Sequence, residues 1–182
     1  RFRTCEDLRA LLAEEAGACD VLVMAAAVAD YRPKIDPAFQ GGKFRRTGQK
    51  MTLELESTPD LIAEVSARRR PGQTLVGFAL EPREELASSA RAKLQRKGLD
   101  MVVGNPLQTM DSADIDATVF LPDGSEQRPA GALSKERFAE WFLDLLAAHA
   151  GERAGSPHAS EGAVVSTPAP RAGVNTSSEN LR

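Results

Sequence analysis

Val21-Leu22-Val23-Met24-Ala25-Ala26-Ala27-Val28-Ala29-Asp30-Tyr31-Arg32-Pro33 decides how the chain is read. It opens as an unbroken apolar run, β-branched at its start, and ends in a charged, aromatic turn stopped by proline. Such a run suits a strand buried on both faces. The alanines that follow leave little side-chain bulk, so a ligand can lie close against the backbone. Asp30 stands where the strand emerges, and in open parallel sheets ligands sit just outside the carboxyl ends of strands. The stretch therefore predicts a carboxylate at the mouth of a small-residue cleft. Taken alone, the stretch favours the plainer reading of a core strand followed by a solvated loop.

Working outward, the chain alternates helix and strand. Thr4 with Asp7 forms a capping-box pattern, Leu8, Leu11 and Leu12 give one apolar face, and Gly17 closes this first helix. After Pro33, the prolines and glycines up to Gly48 predict a long loop or flap carrying Lys43-Phe44-Arg45-Arg46. A mobile loop with clustered cations can close over phosphates, and it can equally be a solvated basic surface. Met51 to Glu56 alternates apolar and polar, as a half-exposed strand does. Thr58-Pro59-Asp60-Leu61 predicts a helix start, with Thr58 as cap and Pro59 in the first helical position, and an apolar face running to about Arg70.

Thr74 to Ala79 reads as a second buried strand, and Gly77 inside it signals close approach of a ligand or another backbone. Phe78 is placed to stack on a flat ring or simply to fill core. Glu84 to Lys97 is a helix with Leu86, Ala90 and Leu94 inward, and Lys93 and Lys97 share a face near its end. Leu99 to Pro106 is a third strand, which puts Asn105 on the same rim as Asp30 and Phe78. A hairpin turns on Pro122-Asp123-Gly124-Ser125. Ser134 caps a last helix whose stripe of Phe138, Trp141, Phe142, Leu145 and Leu146 is packing. Residues 1–150 read as one domain, and 151–182, poor in apolar periodicity, as a disordered tail.

Composition narrows the function classes. With 182 residues, 42% apolar and 27% charged, the chain is globular in character, and a net charge of −3 offers no electrostatic case for nucleic acid or an anionic membrane. No stretch is apolar enough to span a bilayer, and no signal peptide is recognisable. Cys5 and Cys19 read as free thiols of a reducing, cytoplasmic compartment. Two His and two Cys argue against a structural zinc site.

The ordered series Ala-Ala-Ala-Val-Ala-Asp-Tyr-Arg-Pro, Lys-Phe-Arg-Arg, Thr-Pro-Asp-Leu, Val-Gly-Phe-Ala-Leu-Glu, and Lys-x-x-x-Lys-x-Leu-Asp ending in Gly-Asn-Pro resembles the phosphopantothenate–cysteine ligase family of coenzyme A biosynthesis. Each motif is weak alone, and their order over residues 20–106 is specific. The resemblance implies a Rossmann-like three-layer α/β fold with a mostly parallel sheet, a β-hairpin and a flap loop. It also implies a two-step reaction, in which CTP activates 4′-phosphopantothenate as an acyl-cytidylate and the amine of cysteine then displaces CMP, with Mg²⁺ accompanying the nucleotide. A homodimer is implied, as is a fused or associated flavin decarboxylase, with FMN belonging only to that partner. The implied nucleotide contacts are Met24, Ala25, Ala26, Asp30, Thr58, Pro59, Asp60, Leu61, Phe78, Lys93 and Lys97, with Lys43 both a contact and the catalytic cation. No metal ligand is named, and CTP is not distinguished from ATP.

The chain departs from the family at Met24, often Gly, at Arg45 and Arg46, usually lysines, at Thr58, usually Asn, and at Leu80-Glu81-Pro82, usually Ala-Glu-Thr. The family's Gly-rich opening segment is not matched before Arg1, so the chain reads as this domain without its first βαβ region. A non-catalytic nucleotide-binding or assembly module is the alternative reading. An NAD(P)-binding fragment is disfavoured by the lack of G-x-G-x-x-G after a strand.

Overall fold

The computed structural model describes residues 1–34, 48, 50 and 52–155. Helix α1 spans Cys5–Glu15 and starts where the sequence places it: Thr4 accepts from the Asp7 amide at 3.1 Å, and Asp7 accepts from the Thr4 amide at 3.0 Å. Leu8 and Leu12 are buried, whereas Leu11 is 36% exposed and lies off the apolar stripe. Gly17 does not end the helix. α1 stops at Glu15, and Gly17 sits within a short 3-10 turn, Ala16–Ala18. Gln73 secures this turn from inside, its amide donating to the carbonyls of Ala16 at 2.6 Å and Cys19 at 2.8 Å.

The deciding stretch forms two short strands rather than one long one. β1 is Val21–Val23 and β2 is Tyr31–Pro33, with irregular chain between. β2 pairs antiparallel with β3, Leu55–Ser57, as a ribbon separate from the main sheet. The alternating Met51–Glu56 pattern yields a strand from Leu55 onward among the described residues, with the Lys34 amide donating to the Glu54 carbonyl at 2.8 Å just before it. Helix α2, Leu61–Ser66, is six residues long and does not reach Arg70. Its N-cap is Asp60, which accepts from the Ala63 amide at 3.3 Å. Thr58, expected as the cap, instead donates its hydroxyl to the Ala29 carbonyl and pins the alanine segment to the start of this helix.

β4, Thr74–Glu81, leads into α3, Arg83–Lys97, closed by Gly98 at φ 58° in the left-handed region that glycine tolerates. β5, Met101–Pro106, then runs parallel to β4. Two-residue β6, Asp114–Ile115, precedes the hairpin of β7, Thr118–Phe120, and β8, Glu126–Gln127. β9, Leu133–Ser134, pairs with β6 and sets the start of α4, Lys135–Gly155, where Ser134 accepts from the Arg137 amide at 3.3 Å.

The main sheet has the order β1-β4-β5-β7-β8, with β1, β4 and β5 parallel and the hairpin antiparallel. Alternation along the central strands sorts side chains into two layers. Leu75, Ala79, Val102 and Phe120 pack against α1, α2 and α3, while Val76, Met101, Val103 and Val119 pack against Phe138, Phe142 and Leu146 of α4. Phe138 and Phe142 stack with ring centroids 6.1 Å apart. The result is the three-layer, Rossmann-like α/β fold expected from the sequence. One point differs: among the described strands β1 is an edge, so Val21 and Leu22 are half-buried and Val23 is 38% exposed. No described helix is long and apolar enough to cross a membrane.

Candidate nucleotide cleft

A break in the ladder creates the site. The Met24 amide donates to the Val76 carbonyl at 2.9 Å, the last ladder bond between β1 and β4. The Ala25 amide then turns back to the Val23 carbonyl at 3.2 Å, and the chain leaves the sheet. β4 continues to Glu81 paired to β5 alone. Beside its uncovered edge lies a cleft of about 540 Å³ at the carboxyl end of the parallel strands. Small residues let the chain peel away without clashing, which is the physical use of the alanine run.

The structure brings the described residues named by the resemblance round this one cleft. Met24, Ala25 and Ala26 line it from the departing segment, and Asp30 lines it where that segment enters β2. Thr58, Pro59, Asp60 and Leu61 line it from the α2 start, and Phe78, Lys93 and Lys97 from β4 and α3. Asn105, placed on this rim by its strand-end position, lines it too. Lys43, with Phe44, Arg45 and Arg46, lies outside the described residues.

Gly77 explains how a lysine from α3 reaches across. A Cβ there would stand 2.8 Å from Leu99 Cδ1 and 3.8 Å from the Lys93 Cε. The close protein neighbours of Gly77 are thus side chains rather than a second backbone, and Gly77 itself lines the cleft. Across that gap the Lys93 ammonium donates to the Phe78 carbonyl. That carbonyl faces the side of β4 that β1 has left, so Lys93 satisfies an acceptor the ladder no longer reaches. Phe78 itself shares the alternation of Val76 and packs against the core under α4, besides lining the cleft.

The electrostatics are balanced. Lys97 Nζ sits 2.8 Å from Asp60 Oδ2, and the Glu81 carboxylate, which also lines the cleft, accepts from the Ser89 hydroxyl at 2.9 Å. Burial holds the Lys93 ammonium below its ordinary pKa, and neighbouring Lys97 pushes the same way, against the opposing pull of Asp60 and Glu81. Leu80 and Glu81 enter the sequence reading as the end of the Val-Gly-Phe-Ala-Leu-Glu motif, not as site residues. Nothing in their spacing marked them as cleft residues, because that depends on where β1 leaves β4.

The lowered Lys93 pKa has a defined sign for binding. The ammonium loses its proton as pH rises through a value below the usual lysine range, and with it the attraction for an anion. Affinity for inorganic tripolyphosphate is expected to fall on the alkaline side earlier than an ordinary lysine would make it, read by calorimetry across a pH series. For stability the unfolded chain binds more protons between the lowered and ordinary values, so this group's contribution rises with pH across that window.

A family model for the DNA/pantothenate metabolism flavoprotein C-terminal domain matches residues 1–149. The chain belongs to that family. It is 36% identical over 130 residues to the coenzyme A biosynthesis bifunctional protein CoaBC of Thermococcus kodakarensis, covering 70% of this chain and 30% of that protein. It is 37% identical over 106 residues to a cysteine/cysteine sulfinic acid decarboxylase from an unknown prokaryotic organism, covering 58% of this chain and 28% of that protein. The chain therefore spans about a third or less of the length of these curated relatives. Among solved structures, the DNA/pantothenate metabolism flavoprotein from Streptococcus pneumoniae superposes with a TM-score of 0.66 at 23% identity, covering 81% of this chain and 71% of that one. That likeness carries the fold.

Proposed function

We propose that this domain ligates 4′-phosphopantothenate to cysteine at the expense of CTP, through an acyl-cytidylate. The observation that carries the reading is the convergence of the described family motifs on one cleft beside the uncovered edge of β4. Family membership supports the same reading, as does the name of the CoaBC relative.

A free carboxylate resists amide formation, so it must first gain a leaving group. The substrate carboxylate attacks the α-phosphorus of CTP, one P–O bond forms, and pyrophosphate leaves with the electrons of the bond broken. The cysteine amine then attacks the acyl carbon, loses a proton, and expels CMP. In this reading Lys93 and Lys97 neutralise phosphate charge, Ala25 and Ala26 let the nucleotide approach the backbone, and Asp30 accepts hydrogen bonds at the rim. Among the described residues no group of three or more His, Cys, Asp or Glu side chains is placed to hold a metal ion. Mg²⁺ is commonly held by one or two carboxylates together with substrate phosphates, so no ligand is named and no step is assigned to the metal.

The test is calorimetric titration of CTP, with ATP as control and Mg²⁺ present, followed by assay of pyrophosphate release on adding 4′-phosphopantothenate. CTP-preferring binding and substrate-dependent release are expected. Binding without release indicates the non-catalytic module. Failure of both nucleotides to bind a folded chain overturns the reading.

A further inference from the structure

The two cleft lysines are held in different ways. Lys93 donates to a neutral carbonyl, that of Phe78. Lys97 is held by a full charge, its ammonium 3.0 Å from Asp60 Oδ1 and 2.8 Å from Oδ2. We propose that Asp60 is the internal counter-ion of the cleft, holding Lys97 until a polyphosphate displaces it, and that this exchange sets the cleft's preference for polyphosphates over single phosphates. This deepens the nucleotide reading and rests on it.

Burial gives the pair its direction. The Lys97 side chain is 14% exposed and that of Asp60 46%. The ammonium has little water to fall back on, so it gives up the carboxylate only for another anion. The carboxylate keeps access to water and can be released to it. Asp60 also has a second anchor, the Ala63 amide at 3.3 Å, which keeps it in place whether or not Lys97 is engaged. An incoming anion therefore meets a lysine already neutralised, with the competing carboxylate beside it.

The other cleft groups sharpen the effect. Both residues line the cleft together with Asp30 and Glu81, and Glu81 is occupied by the Ser89 hydroxyl. Lys93 has no carboxylate bonded to it among the described residues, so it is the charge a single phosphate reaches. Lys97 is won only by a ligand with enough negative charge to outbid Asp60. The two lysines thus act in sequence, and the second engages polyphosphates selectively.

Asp60→Asn tests this, because asparagine keeps the oxygen that caps α2 and is as good a cap, while removing the charge. Asp60→Ser, also a good cap, is the second variant. CTP, CMP and inorganic tripolyphosphate are titrated calorimetrically into the chain and both variants at two salt concentrations, with circular dichroism recording the fold. Both variants are expected to bind tripolyphosphate and CTP roughly tenfold more tightly, with a narrower CTP-to-CMP preference and a steeper salt dependence, as removing one close opposing charge implies. Unchanged or weaker tripolyphosphate binding by folded variants overturns the counter-ion. If the unaltered chain binds tripolyphosphate but not CTP, while the variants bind tripolyphosphate more tightly, the counter-ion stands and the nucleotide reading falls.

Discussion

Lys93→Met is expected to weaken CTP binding by roughly 10- to 100-fold, the loss of one charge-assisted contact in a partly desolvated site. Methionine matches the stem in length, so the space beside Gly77 that the Lys93 stem occupies stays filled. What disappears is the charge, together with the donor to the Phe78 carbonyl. That carbonyl lines an open cleft and can be hydrated, so thermal unfolding is expected to shift by only a few degrees. Calorimetry against CTP and a melting curve on the same sample check both halves. A threefold or smaller change in affinity in a folded variant removes Lys93 from the site. A large loss of stability assigns it to the scaffold instead.

Asp100→Ala is expected to destabilise the fold strongly. Asp100 is 3% exposed at the entry to β5. Its carboxylate accepts from the Leu75 amide at 2.7 Å and from Arg69 Nη1 at 3.0 Å, and its own amide donates to the Leu75 carbonyl at 2.9 Å. One side chain thus joins the starts of β4 and β5 to the chain after α2. Removing it leaves a buried amide without its acceptor and Arg69 without its counter-charge, at a cost of about 3 kcal/mol. Arg69 is a third exposed and can regain water, which keeps the estimate at the low end of a broken buried pair. For a domain of this size the melting temperature falls by roughly 10 °C. Asp100→Asn, which keeps an acceptor for Leu75 but loses the charge, is expected to lie between. Equal melting of Asp100→Ala and the unaltered chain would show that the carboxylate ties nothing together.

Local rules read well wherever the signal was local. The Thr4–Asp7 capping box, the Pro122–Ser125 hairpin and the Ser134 cap are each complete within a few residues, and each is present. The stripes of α3 and α4 were legible because a helix repeats its buried face every turn. Reading failed where two elements compete for the same residues. Thr58 has every property of a cap, yet the nearby Ala29 carbonyl takes its hydroxyl and Asp60 caps α2 instead. Leu11 has the right spacing, yet α1 is covered by neighbours only along Leu8 and Leu12.

The sequence by itself determined the layered α/β character and the family, and it named many of the described side chains that line the cleft. Each of these is written in apolar periodicity, in motif order, or in a residue's place at the end of a strand. Only the tertiary structure decided where β1 lets go of β4, and therefore that a cleft opens along Gly77 to Glu81. The Val21–Ala29 run carries no mark of that point, because alanine is compatible with strand and irregular chain alike. The departure is set by the Ala25 amide turning to Val23 and by Thr58, far along the chain, holding Ala29. The pairing of Lys97 with Asp60 and of Lys93 with Phe78 was equally out of reach, since it depends on how α3 packs across the gap at Gly77.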